Sequence, residues 1–198
     1  MSNDDQLKVR QTVSKKKSFK ELTIVRDIIF WIDLVGEGQN ENAIFARPFN
    51  EKEAFPQKLT SKKYNIKNNF HGYGGKSYKC IYLKNNFYLI WIDQITNAVW
   101  FQIFKEVASN YRIQKRFLDS VQEPRQLSKS IDGNFDSSFV ISQKNFLYGI
   151  CEINNRDYLF SLNLKKTKQD IYRIKKFKNF AGELSSNTSV SLLSWVEW

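Results

Sequence analysis

Short apolar and aromatic runs, each bounded by turn-forming residues, recur from Ile24 to the end of the sequence. Runs of this length and make-up favour strands, because aromatic and β-branched side chains fit a pleated, half-buried surface. The first pair is IVRDIIFWIDLV and ENAIFARPF, joined by GEGQN, whose Gly36 and Gly38 suit a hairpin loop that needs positive φ. A second set, KSYKCIYL, NFYLIWID and AVWFQIF, is joined by Lys84-Asn85-Asn86 and by Gln94 to Asn97. A third set, SSFVIS, NFLYGICEI and DYLFSLNL, is joined by Gln143-Lys144 and by Asn154-Asn155-Arg156, and VSLLSWVEW closes the chain as a final strand. Helical signals are weak. The best candidate, FQIFKEVASNYRIQKRFL, is rich in aromatic and β-branched residues without a clear cap, and reads as strands and loop.

The sets recur at roughly 40 to 60 residues, a period that propeller blades share, although periodicity alone leaves a sandwich or barrel open. With 198 residues and 41% apolar content the chain can bury a real core. Residues 1–19 hold Lys15-Lys16-Lys17 without hydrophobic periodicity and read as a flexible polar, basic tail, leaving 20–198 for the folded part. The net charge of +11 is diffuse, and its cations are 23 Lys against 8 Arg, so bidentate recognition of bases or phosphates is not indicated. Cys80 and Cys151 each sit in an apolar segment, as small buried hydrophobes do. The N-terminus lacks an apolar signal segment and no run is long enough to span a bilayer, so a cytoplasmic location without membrane contact is the expectation.

A specific pattern appears at residues 59–78. LTSKKYNIKNNFHGYGGKSY resembles the Leu-Thr-Pro, Asn-Val-Arg, His-Glu-Tyr-Gly-Gly-Gly segment of the β-propellers in the dipeptidyl and acylaminoacyl peptidase branch of the prolyl-oligopeptidase family. Upstream, IIFWIDLVGEGQNENAIFAR is similar to that family's first hairpin. Downstream, YGICEINNRDYLFSLNL and FKNFAGELSSNTSVSLLSWVEW are similar to later blade strands. The resemblance spans about residues 22–198 and names His71, Tyr73, Gly74 and Gly75 as the family's structural motif. It departs at Gly72, where the family has Glu, at Lys76, where it has a third Gly, and at Ser185-Ser186-Asn187-Thr188, where it has Ser-Pro-Asp-Gly.

The fold expected is therefore all-β, an incomplete β-propeller of about three antiparallel blades plus the first strand of another. A peptidase of the family needs a Ser in a Gly-x-Ser-x-Gly elbow with Asp and His partners, and no Ser here has that context. His71, the sole histidine, is expected to be a turn residue whose ring bonds a neighbouring backbone group, with Tyr73 packed beneath and Gly74 and Gly75 at positive φ, and with no titratable partner beside it. One His and two separated Cys do not make a zinc site, and GYGGKS lacks the spacing of a phosphate loop, so neither metal nor cofactor is expected. Asp132 and Asp136 flank Gly133-Asn134 and read as a turn. Lys and aromatics alternate in KSYKCIYLKNNFYLIW, which places the aromatics inside and the Lys outside a strand. The resemblance implies a non-catalytic fragment of a substrate-gating domain, completed by a separate chain or by self-association. The alternative is a stand-alone propeller-like module that binds an acidic protein or nucleic acid.

Overall fold

The computed structural model of the protein describes residues 20–35, 41–51, 54–107, 116–187 and 189–198. The expected tail over residues 1–19 and the glycines Gly36 and Gly38 lie outside them. Among the described residues, fifteen strands fall into four sheets. The first sheet runs β1 (Lys20–Val25), β2 (Ile28–Val35), β3 (Glu41–Pro48) and β4 (Gln57–Lys58). The second joins β5 (Tyr78–Leu83), β6 (Asn86–Asp93), β7 (Ala98–Glu106) and β8 (Leu118–Ser120), with β9 (Arg125–Gln126) also on β7. The third is β10 (Gly133–Ile141), β11 (Phe146–Ile153), β12 (Asp157–Asn163) and β13 (Tyr172–Lys176). The fourth is β14 (Ala181–Ser186) with β15 (Leu193–Glu197). All pairings between named strands are antiparallel.

The fourth sheet thus holds two strands where a single closing strand over VSLLSWVEW was expected, because AGELSS pairs with LSWVE. IVRDIIFWIDLV is likewise two strands, split by a turn in which Arg26 adopts φ 56°. Asp136 is not in a turn: it lies inside β10, where the pairing shifts between Asp136 and Val140. The hairpin chemistry expected at the other joints is present. Lys84 and Asn85 take φ 51° and 59°, and Asn154 and Asn155 take 52° and 55°, the two consecutive left-handed residues of a tight hairpin turn.

The first strand of each sheet lies beside the first strand of the next, β1 by β5, β5 by β10 and β10 by β14. Between the sheets lie three apolar cores. Phe30, Ile32, Ile44, Leu89 and Trp91 fill the first; Ile90, Phe101, Phe135, Phe139 and Phe160 the second; Val140, Ile150, Leu159, Phe177 and Leu184 the third. Alternation explains this: β6 is buried on both faces, with Leu89 and Trp91 toward the first sheet and Ile90 and Ile92 toward the third. Polar clasps join sheet edges. Gln57 of β4 donates to the Leu118 carbonyl at 2.7 Å and accepts from the Phe117 and Leu118 amides at 3.0 Å. No helix among the described residues is long and apolar enough to cross a membrane.

Both cysteines are buried and free. Burial pushes the Cys151 thiol up to about 12 and raises that of Cys80 as well. We expect a thiol-directed reagent at neutral pH to leave the folded protein unlabelled and to label both cysteines after denaturation. Rapid labelling of the folded chain, followed by mass spectrometry, would contradict this burial.

Candidate functional site

The loop from Leu59 to Ser77 links the first two sheets, and its conformation is set by Asn68, which is buried. The Asn68 side chain accepts from the Phe70 amide at 3.0 Å and donates to the Lys76 carbonyl at 3.0 Å, closing the loop on itself. Phe70–Gly72 then form one short 3-10 turn. His71 has φ 50°, and the positive-φ glycines are Gly72 and Gly74; Gly75, expected among them, is not. Gly75 instead lies close to Asn68, whose amide nitrogen is 3.4 Å from where a Cβ would stand.

The His71 ring does not bond a neighbouring backbone group. Its Nε2 lies 3.0 and 2.9 Å from the two carboxylate oxygens of Asp157, a residue 86 positions away at the start of β12. The expectation that no titratable group stands beside His71 is therefore overturned. The same Asp157 carboxylate accepts from the Ala181 amide at 2.6 Å, at the start of β14. The His71 amide donates to Glu152 Oε2 at 3.2 Å. One buried carboxylate thus ties the loop before the second sheet to the third and fourth sheets. Tyr73 is not beneath the ring but 97% exposed. Phe70 stacks on His71 at 3.8 Å instead, while Phe180 at 4.8 Å and Trp198 at 6.2 Å close its other sides.

Phe180 and Trp198 also line a cleft of about 500 Å3 with Arg156, Asp157, Phe177 and Lys178. In a nucleophile-activating triad the carboxylate holds the histidine Nδ1 and leaves Nε2 for the serine; here Asp157 occupies Nε2, and His71 has no serine hydroxyl within hydrogen-bond reach among the described residues. With His71 wedged among aromatic rings and tied to Asp157, the arrangement fixes sheets relative to one another. Among the described residues, no group of three or more His, Cys, Asp or Glu converges as a metal site.

A second inter-sheet carboxylate is Glu21 of β1. It accepts from the Ser77 amide and from Ser77 Oγ at 2.8 Å, while Tyr78 Oη donates to the Glu21 carbonyl at 2.7 Å. Burial holds the Glu21 carboxyl above its ordinary value, outweighing the lowering effect of the Ser77 hydrogen bonds and Lys76. The folded state therefore keeps this proton to higher pH than the unfolded chain. Stability contributed by Glu21 is full below its ordinary value of 4.5 and is lost as pH rises through the folded value. We expect the pH–stability curve of wild type minus that of Glu21→Gln to fall across that window, and a rising difference would refute the assignment.

All-β, with successive antiparallel sheets and inner strands side by side, is the class these observations define. Among solved structures, the chain is similar in fold to a Mycobacterium tuberculosis puromycin-hydrolyzing peptidase, with TM-score 0.68 and 13% identity over 92% of this chain. It is also similar to puromycin hydrolase, with TM-score 0.69 and 13% identity over 93%. A serine-to-alanine mutant of that hydrolase complexed with PGG gives TM-score 0.70, again at 13% identity over 93% of this chain. The chain spans 28% of the length of each of these structures. The likeness is consistent with the propeller portion to which the HxYGG segment points, and it holds at the level of fold. No family model matches the sequence, and no curated protein matches it.

Proposed function

We propose that the chain is the leading part of the propeller of a prolyl-oligopeptidase-type serine peptidase, four successive blades that take no part in bond cleavage and serve to gate substrate. The fold likeness over 93% of this chain, set against 28% of a puromycin hydrolase, carries this reading. The His71–Asp157 tie agrees with this reading, since it joins the HGYGG segment to the third and fourth sheets. In such a protein, the blades would admit short peptides to a hydrolase domain and exclude folded ones.

Two measurements test this. The coding DNA beyond the Trp198 codon, translated in all three frames, is expected to show further strand sets followed by a Gly-x-Ser-x-Gly elbow. A downstream sequence without either would overturn the reading. The 198-residue chain alone is expected to leave puromycin and aminoacyl chromogenic substrates intact, and turnover that a serine-directed inhibitor abolishes would overturn its non-catalytic role.

A further inference from the structure

The outer edges of the sheets are not alike. In the first sheet the outermost strand, β4, is two residues long, and Gln57 clasps it to Phe117 and Leu118. In the second, β8 and β9 are three and two residues long, and Arg125 of β9 donates to the Leu164 carbonyl at 2.8 Å. Edges this short, or clasped in this way, offer little ladder to an incoming strand. The third sheet ends differently. Its outermost strand, β13, runs five residues, is exposed at every position, and pairs only with β12 among the described residues. This sheet has a neighbour on each face, the second sheet through one core and the fourth through another, so what stays open at β13 is a strand edge and not a sheet face.

The edge is strongly cationic. Seven exposed Lys and Arg lie between Lys165 and Lys178, against one exposed carboxylate, Asp170, which Lys129 already holds at 2.8 Å. Two of these cations are anchored beside the strand by aromatic rings, Arg173 over Tyr158 at 4.8 Å and Lys175 over Trp195 at 4.4 Å. Like charges set opposite each other across a ladder are destabilising, so the edge repels a second copy of itself and favours a strand of opposite charge. Next to it lies a cleft of about 630 Å3, where Ile131, Ile153, Ile171 and Tyr172 stand beside Lys129 and Arg173.

We propose that β13 is a docking edge for an acidic polypeptide segment. The segment adds to the third sheet as a further strand, sets its carboxylates against Arg173, Lys175 and Lys176, and seats an apolar side chain in the cleft beside Tyr172. In this mode main-chain hydrogen bonds supply the affinity and side-chain pockets the selectivity. A nucleic acid would answer the charge but not the edge, since it has no alternating amides and carbonyls with which to complete a ladder. The excess of Lys over Arg at this edge argues the same way, because Arg is the better fork for phosphates. The docking edge belongs to the third sheet alone and does not depend on the gating role.

Fluorescence anisotropy of a labelled peptide of alternating Glu and Val, about six residues long as ordinary strands are, titrated with the full chain, tests this. Saturable binding at micromolar concentrations that weakens as salt rises is expected. The same peptide N-methylated at every residue keeps its side chains and charges but has no backbone donors, and should bind at least about tenfold more weakly. Arg173→Glu and Lys176→Glu should each weaken the unmodified peptide at least about tenfold, because they set like charges together. Lys62→Glu makes the same change of charge at an exposed position in the loop before the second sheet, and should leave binding within about twofold. Circular dichroism is expected to show an unchanged sheet spectrum in all three variants, and the comparison of the two peptides needs only the wild type. An oligothymidylate of equal charge should bind more weakly than the peptide. The proposal is overturned by no saturable binding of the unmodified peptide, by equal binding of its N-methylated form, or by equal losses at Lys62 and Lys176. Tighter binding of the oligothymidylate also overturns it and assigns the cationic edge to nucleic acid.

Discussion

Asp157→Ala is expected to destabilise the fold by about 3–5 kcal/mol, because two largely buried polar groups, the Ala181 amide and the His71 ring, lose their partner at roughly 1–3 kcal/mol each. In a chain of this size that lowers the melting temperature by roughly 6–20 °C. The size follows from what the carboxylate holds. It is 2% exposed and accepts from His71 Nε2 and from the Ala181 amide, groups from two different parts of the chain. Truncation strands the Ala181 amide, and it leaves the His71 ring without its polar partner among Phe70, Phe180 and Trp198. Asp157→Asn keeps an oxygen for the Ala181 amide and is expected to fall well short of the alanine loss. Thermal and urea melts of both variants give the comparison. An alanine variant within about 1 kcal/mol of wild type, the scale of an ordinary surface ion pair, would show that this tie does not hold the sheets.

The sequence pattern is most informative where strands are buried on alternate or both faces. β5 to β7 and β10 to β12 have strong apolar runs separated by short turns, and the structure places them close to where the pattern does. The strands that escaped are those with no burial to leave a trace. β13 is exposed along its whole length, and β4 and β9 are two residues long, so their pairing is dictated by neighbours rather than by their own side chains. The turn at Arg26-Asp27 is hidden inside an apolar run because no Gly, Asn or Pro marks it. At the candidate site, the HGYGG segment drew attention to His71, but its partner could not be read. A contact across 86 residues depends on which sheets become neighbours, and the only local sign was an acidic residue opening the apolar run DYLFSLN.

Trp91→Ala is expected to match or exceed the loss at Asp157, at about 3–5 kcal/mol for a large aromatic truncated in a core. Trp91 is fully buried where the first and second sheets pack, with Tyr64 edge-on at 5.3 Å and Trp100 stacked at 6.3 Å. Backbone strands on both sides restrict collapse into the space left behind, so most of the cavity would persist. Trp91→Phe separates volume from polarity. The indole Nε1 is buried with no hydrogen-bond partner among the described residues, an arrangement that already costs the native fold roughly 1–3 kcal/mol. Phenylalanine removes that orphan donor while keeping most of the aromatic contact, so its net loss should be below about 2 kcal/mol, with lost packing offset by the relief. Equilibrium denaturation of the two variants decides between the terms. If phenylalanine is as damaging as alanine, the fit of the indole ring between Tyr64 and Trp100 governs this core. If it is nearly neutral, the unpaired donor was working against the packing that surrounds it.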